Sequence, residues 1–295
     1  MKTSNNIIRE ELQDLLKKVE SDFVDSQEKQ QDDLFISFTE NVVIPNRDRI
    51  PTLFRYSPAD YYSIRNLETE TLMLSNIGNM NDIFEGLSGE VDTDVIVSLD
   101  ELKDIAFIKS FTELKNDSLM WSHYGDKYAG MCVEYDFSKL DYKVLYHLFP
   151  VMYSDSRYHI KTLDNAVRDL YEVKKANREE CYPDLYESLL DVMALFLKKS
   201  KSWEHENEWR LIATYPQIYN DLQDFYDTDN RCKDPLFDLD DREISVKGCT
   251  KSVYIGPKMQ SIQRKHIKEI CHKLNIEFHE LTISKTDYAL EEKIK

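Results

Sequence analysis

Seven or eight short strand-forming stretches run along this chain, with helical stretches inserted among them in no regular alternation. That irregularity is the strongest constraint on the fold. A doubly wound parallel sheet needs strand and helix in strict turn. An α+β fold is expected instead, with a mixed, mostly antiparallel sheet and helices packed on it. Strands are predicted over 53–56, 71–75, 105–112, 130–135, 151–153, 209–214, 251–255 and 276–281. Helices are predicted over 6–24, 58–67, 118–124, 163–175 and 182–199, with Pro58 opening the second. A last helix is expected to turn Ile262, Ile267, Ile270 and Leu274 inward. Residues 1–50 read as an N-terminal helical extension, and residues 51–295 as a single α+β domain. The acidic stretch 220–241 lacks the glycine and terminal glutamate of an EF-hand loop, so it reads as a solvated loop.

With 295 residues and 41% hydrophobic content, the chain can bury a full core without a disulfide or metal staple. Its formal net charge of −17 repels phosphate backbones, so duplex DNA is not an expected partner. A local basic pocket for one small anion remains compatible with that field. The five cysteines are widely spaced and include no CxxC pair, which suits reduced thiols in a cytoplasmic protein. No stretch approaches the roughly 20 apolar residues of a membrane span. Two roles stay open for residues 1–50: contact with a partner protein or a second copy, or a lid over the cleft.

Three segments carry candidate chemistry. In the run from Trp203 to Ile212, strand alternation turns Glu206, Glu208 and Arg210 to one side, while Trp209 and Leu211 enter the core. Two carboxylates so close need a cation between them, and Arg210 is the candidate. This reads first as a salt-bridged strand edge, with catalysis as the sharper alternative. The segment from Met80 to Gly86 offers Asn81, Asp82 and Glu85 on a loop after a strand, where Asn and Asp also serve as ordinary turn formers. The segment from Asn116 to Gly125 places Trp121 and Tyr124 on one helix face and His123 on another, with Asp117 or Ser118 as the cap. No metal site is expected, because no second histidine stands at ligand spacing. The glycine-rich, nucleophile-elbow and zincin motifs are absent.

Together these segments resemble a bacterial group, the domain of unknown function 2971 family. The resemblance rests on Leu53-Phe54-Arg55-Tyr56, Asn81-Asp82-Ile83-Phe84-Glu85, Ser110-Phe111-Thr112, Met120-Trp121-Ser122-His123-Tyr124-Gly125, Gly130-Met131-Cys132-Val133-Glu134-Tyr135 and Trp203 to Arg210. Ile83 and Gly125 depart from the family pattern, which has Pro and Ala there. The family name implies no activity.

The order of a basic residue on an early strand, a serine after the next and a glutamate on a late one resembles ADP-ribosyltransferase-like folds. On that analogy Arg55, Ser75, Glu206 and Glu208 are the expected catalytic set, acting on NAD or another nucleotide at a ribosyl bond. Tyr56, Trp121, Tyr124, His123, Trp203, Arg210, Asn81, Asp82 and Glu85 are the expected substrate contacts. A toxin or phage-defence effector suits such chemistry. The alternatives are a non-enzymatic sensor or interaction module, and a magnesium-dependent nuclease built on Asp82, Glu85, Glu206 and Glu208.

Overall fold

The structure, a computed structural model, describes residues 6–22, 38–77, 80, 82, 106–156, 196–214 and 243–293. The predicted helix 163–175, nearly all of 182–199 and the acidic stretch 220–241 lie outside the described residues.

The element order is α1 (Asn6–Asp22), β1 (Leu53–Ser57), α2 (Tyr61–Thr69), β2 (Thr71–Met73), β3 (Ser75–Asn76), β4 (Ala106–Thr112), α3 (Ser118–His123), β5 (Met131–Tyr135), α4 (Tyr142–Leu145), β6 (Leu148–Pro150), β7 (Met152–Ser154) and β8 (Lys198–Ser200). A 3₁₀ turn (Lys201–Glu206) then leads into β9 (Glu208–Thr214), followed by β10 (Glu243–Ser245), β11 (Thr250–Ile255), α5 (Ser261–Leu274), β12 (Glu277–Ile283) and β13 (Leu290–Glu292).

A nine-stranded sheet is the centre of the molecule, in the order β13-β12-β11-β5-β1-β4-β9-β6, with β3 also on β4. Its pairings are antiparallel except β11 with β12. The fold is therefore α+β with a mixed, mostly antiparallel sheet.

Alternation along the strands sorts the side chains into two clusters. Leu53, Phe107, Phe111, Val133, Trp209 and Leu211 enter the larger core. Phe54, Tyr56, Cys132 and Tyr254 point to the other face and pack with Trp121. Helix α1 spends its apolar stripe on the larger core through Ile8, Leu12, Leu15 and Leu16. Its Arg9 donates to Val151 O at 2.7 Å and to Glu208 O at 3.1 Å. The same guanidinium pairs with Glu113 at 3.0 Å and lies 5.6 Å from the Trp209 ring.

Several local expectations need correction. Helix α2 opens at Asp60, whose carboxylate accepts from Ser63 N, and not at Pro58. An Asp side chain satisfies an orphan amide there, which proline cannot do. Ile262 is 74% exposed. The inward stripe of α5 is Ile267, Ile270 and Cys271, with Leu274 packed beside it. Lys198–Ser200 forms a strand where a helix end was expected. Asp117 does cap α3, accepting from Leu119 N and Met120 N.

Two glycines let backbones meet beside α3. A Cβ on Gly130 would lie 2.2 Å from Ser57 O, and one on Gly256 would lie 2.1 Å from Tyr128 O. Gly256 N donates to Gly130 O at 3.0 Å. The obstructing atoms are backbone, so no side chain can swing aside. Gly130→Ala is expected to lose about 1–3 kcal/mol of stability. A urea midpoint indistinguishable from wild type would contradict this close approach.

Candidate functional site

Strand β9 is flanked by β4 and β6, so the acid pair is not on an exposed edge. Thr112 faces Glu208 and Ser110 faces Arg210 across the β4–β9 ladder. Glu206 is not on the strand: it ends the 3₁₀ turn, and Asn207 takes a left-handed conformation (φ 44°) before β9 begins. That kink replaces the simple alternation expected from sequence, yet leaves both acids on one cation.

The cation that joins them is Lys199, which sequence reasoning missed. Its Nζ donates to Glu206 Oε2 at 2.7 Å and to Glu208 Oε2 at 2.9 Å. Arg210 grips Glu208 with two donors, Nε to Oε1 at 2.7 Å and Nη2 to Oε2 at 3.0 Å. Its Nη1 reaches Phe196 O. Glu206 Oε1 accepts from Tyr124 Oη at 2.6 Å. Glu206, Glu208, Lys199 and Arg210 are all buried. Two acids and two bases thus form a neutral buried cluster, the arrangement in which mutual attraction can offset desolvation. The signal in the sequence was a lysine beside Trp203, obscured by its assignment to a helix.

Burial alone would raise the Glu208 pKa, but the charges of Arg210 and Lys199 outweigh it and hold the carboxyl at about 2. The Tyr124 phenol is pushed upward by burial and by its bond to Glu206, so it stays a donor.

Two cavities meet at this cluster. The outer one is an open cleft of about 560 Å³, bordered by Arg55, Ser75, Lys109, Tyr124, Lys199 and Trp203 among others. The inner one, about 60 Å³, is bordered by Arg55, Ser110, Tyr124, Lys199, Glu206 and Glu208 among others. They adjoin where the sheet is incompletely zipped: β1 and β4 pair only at Phe54 and Thr112. Beyond that point Arg55 Nη1 donates to Ser110 O at 2.9 Å in place of a ladder bond.

Arg55, Ser75, Asp82, His123, Tyr124 and Trp203 all border the outer cleft, while Glu206 and Glu208 border the inner one. Trp121 is fully buried, 5.2 Å from the Tyr56 ring in an edge contact, so it is a core residue and not a stacking platform. Tyr56 is largely buried, its hydroxyl donating to Leu114 O at 2.9 Å, and it borders both cavities. Arg210 is fully buried on Glu208, which leaves it no surface for a substrate. Asn81 and Glu85 lie outside the described residues. Among the described residues no group of three or more His, Cys, Asp or Glu is arranged to hold a metal ion. Among them, too, no helix is long and apolar enough to cross a membrane.

The cluster predicts an acid-sensitive stability. The Glu208 pKa is lower in the folded chain than in the unfolded one, so its contribution is fully present above the unfolded carboxylate pKa. It is lost as pH falls from there toward about 2. Between pH 7 and pH 3, wild type is expected to lose on the order of 2 kcal/mol more than Glu208→Gln, read by urea unfolding. Parallel curves for the two proteins would mean the ion pairs do not form. Arg210→Met is expected to cost about 3–5 kcal/mol at pH 7, because it strips a buried carboxylate of its fork.

Residues 120–211 match the model of a family described as "Protein of unknown function (DUF2971)". No curated protein and no solved structure matches the chain. The matched segment runs from α3 to the middle of β9 and so carries Tyr124, Lys199, Glu206, Glu208 and Arg210, whereas Arg55 and Ser75 precede it. Through the segment that builds the buried acid cluster, this chain resembles the DUF2971 family.

Proposed function

We propose that the chain is a nucleotide glycohydrolase-like enzyme, with NAD as the substrate class, that breaks an N-ribosyl bond with water. The observation that carries this reading is the nesting of the two cavities around shared residues: Arg55, Tyr124 and Lys199 border both. The outer cleft falls in the range of small-molecule sites. The inner cavity, at about 60 Å³, exceeds the roughly 10–15 Å³ that a water molecule needs. It is lined by the acid pair Glu206 and Glu208.

In this reading the nucleotide lies in the outer cleft with Trp203 and Tyr124 beside its rings. The C1′–N bond breaks, and its electron pair leaves with nicotinamide, neutralising the ring nitrogen. The positive charge passes to C1′ and the ring oxygen. The Glu206 carboxylate stabilises that centre and takes a proton from the water whose oxygen joins C1′. The proton then leaves to solvent, and ADP-ribose is the second product. Glu208, gripped by two cations where Glu206 has one cation and a neutral phenol, acts as a positioning residue. This differs from the sequence expectation, which put Glu208 in the catalytic set.

The same engagement of Glu208 favours a second reading, a sensor that binds a nucleotide without turning it over. Incubation with NAD, with and without EDTA, and chromatography of nicotinamide separates the two. The hydrolase reading expects release that ignores EDTA and falls about 10²-fold or more in Glu206→Gln. Tight NAD binding with no release makes the protein a sensor. Neither binding nor release removes the nucleotide from this site, and EDTA-sensitive loss of RNA or DNA would establish the nuclease alternative.

A further inference from the structure

The outer cleft carries two cations that, among the described residues, have no carboxylate against them. Arg55 lies on β1 and Lys109 on β4, and both border the cleft. The two strands part beyond the Phe54–Thr112 pair, and both side chains enter the cleft there, close enough for the Arg55 charge to act on Lys109. Lys109 is only 7% exposed.

Their polar contacts are carbonyls. Arg55 Nη1 donates to Ser110 O at 2.9 Å, and Lys109 Nζ to Met73 O at 2.6 Å. Among the described residues no carboxylate is within ion-pair distance of either. Asp60 acts on both only through its field, since its carboxylate caps α2. The electrostatics agree with this geometry. Burial, together with the charge of Arg55 and against that of Asp60, lowers the Lys109 pKa to about 7. Burial lowers Arg55 as well. By contrast, Lys199 and Arg210 have their acids within 3.0 Å. Two adjacent desolvated cations are unfavourable in an empty site, which is why the Lys109 proton is held so weakly there. An anion between them removes both the repulsion and the missing partner.

We infer that Arg55 and Lys109 form a built anion site that takes the diphosphate of a nucleotide, the guanidinium as a fork and the ammonium as a point charge. The inference rests on the nucleotide reading for its ligand class, but its test uses inorganic pyrophosphate alone. Calorimetric titration at low salt is expected to show one site in wild type. Affinity is expected to fall tenfold or more in both Lys109→Met and Arg55→Gln. The exposed control Lys265→Gln is expected to keep wild-type affinity. Ligand-free Lys109→Met is expected to melt at or above the wild-type temperature, because it removes a buried charge of no structural use. A lysine kept only for its bond to Met73 O would instead lower the melting temperature and leave pyrophosphate affinity unchanged. That result, or no pyrophosphate binding by wild type, overturns the inference. Pyrophosphate binding without nicotinamide release retains the anion site and removes the hydrolytic reading, so the two fail separately.

Discussion

The double grip of Arg210 and Lys199 on Glu208 is the interaction around which the site is organised. A carboxylate buried in a sheet is tolerable only with its charge matched at short range. Here two cations do this, at 2.7 and 2.9 Å, and their remaining donors determine what lies around them. Arg210 reaches the carbonyl of Phe196 and so fixes the segment that delivers Lys199. Lys199 reaches on to Glu206, and Glu206 to Tyr124 on another element. Two separate stretches of chain, 196–210 and the end of α3, are thereby held in one hydrogen-bonded set. Arg9 adds a third from behind, on the carbonyl of Glu208 itself.

That rigid side faces a discontinuity in the sheet. Strands β1 and β5 pair over all five residues of β1, whereas β1 and β4 meet at a single position. Backbone groups freed by such a gap must find partners, and the Arg55 guanidinium supplies one to Ser110 O. The gap is why residues that leave their strands toward opposite faces border the same inner cavity. Close backbone contact at Gly130 and Gly256 holds β1, β5 and β11 together on the far side of the gap. The opening is thus confined to one interstrand seam.

The sequence was informative wherever one period or one charge rule decided the outcome. Alternation placed Trp209 and Leu211 inside, and it put Glu208 and Arg210 together. The repulsion between neighbouring acids correctly demanded a cation. It named only half of the answer, because Lys199 comes from β8, and pairing of short segments depends on non-local contacts that local propensity does not encode. The same limit applies to Lys109. Its surroundings are made by Met73, Arg55 and Asp60, from three other parts of the chain. Trp121 was misjudged for a related reason: its face of α3 was right, but that face turns toward Tyr56 and the sheet. Position on a helix face says which side chains travel together and leaves open whether they meet core or cleft.

Charge at two scales bears on what the cleft can accept. The chain as a whole is strongly acidic, with a net charge of −17. That field opposes a long polyanion, whose many phosphates would lie along the outer surface. A compact anion meets different conditions, because it is exposed to the outer field only on approach. Once inside, it lies beside cations whose own hydration has already been removed by folding. The acids nearest the gap do not cancel this attraction, since Glu206 and Glu208 are neutralised within their own cluster. Asp60, Asp82 and Asp126 border the same cleft and set a limit to how much negative charge it can take. In the proposed reading, global repulsion with a local, partly desolvated cation pair discriminates by size, against a long polyanion and in favour of a compact anion.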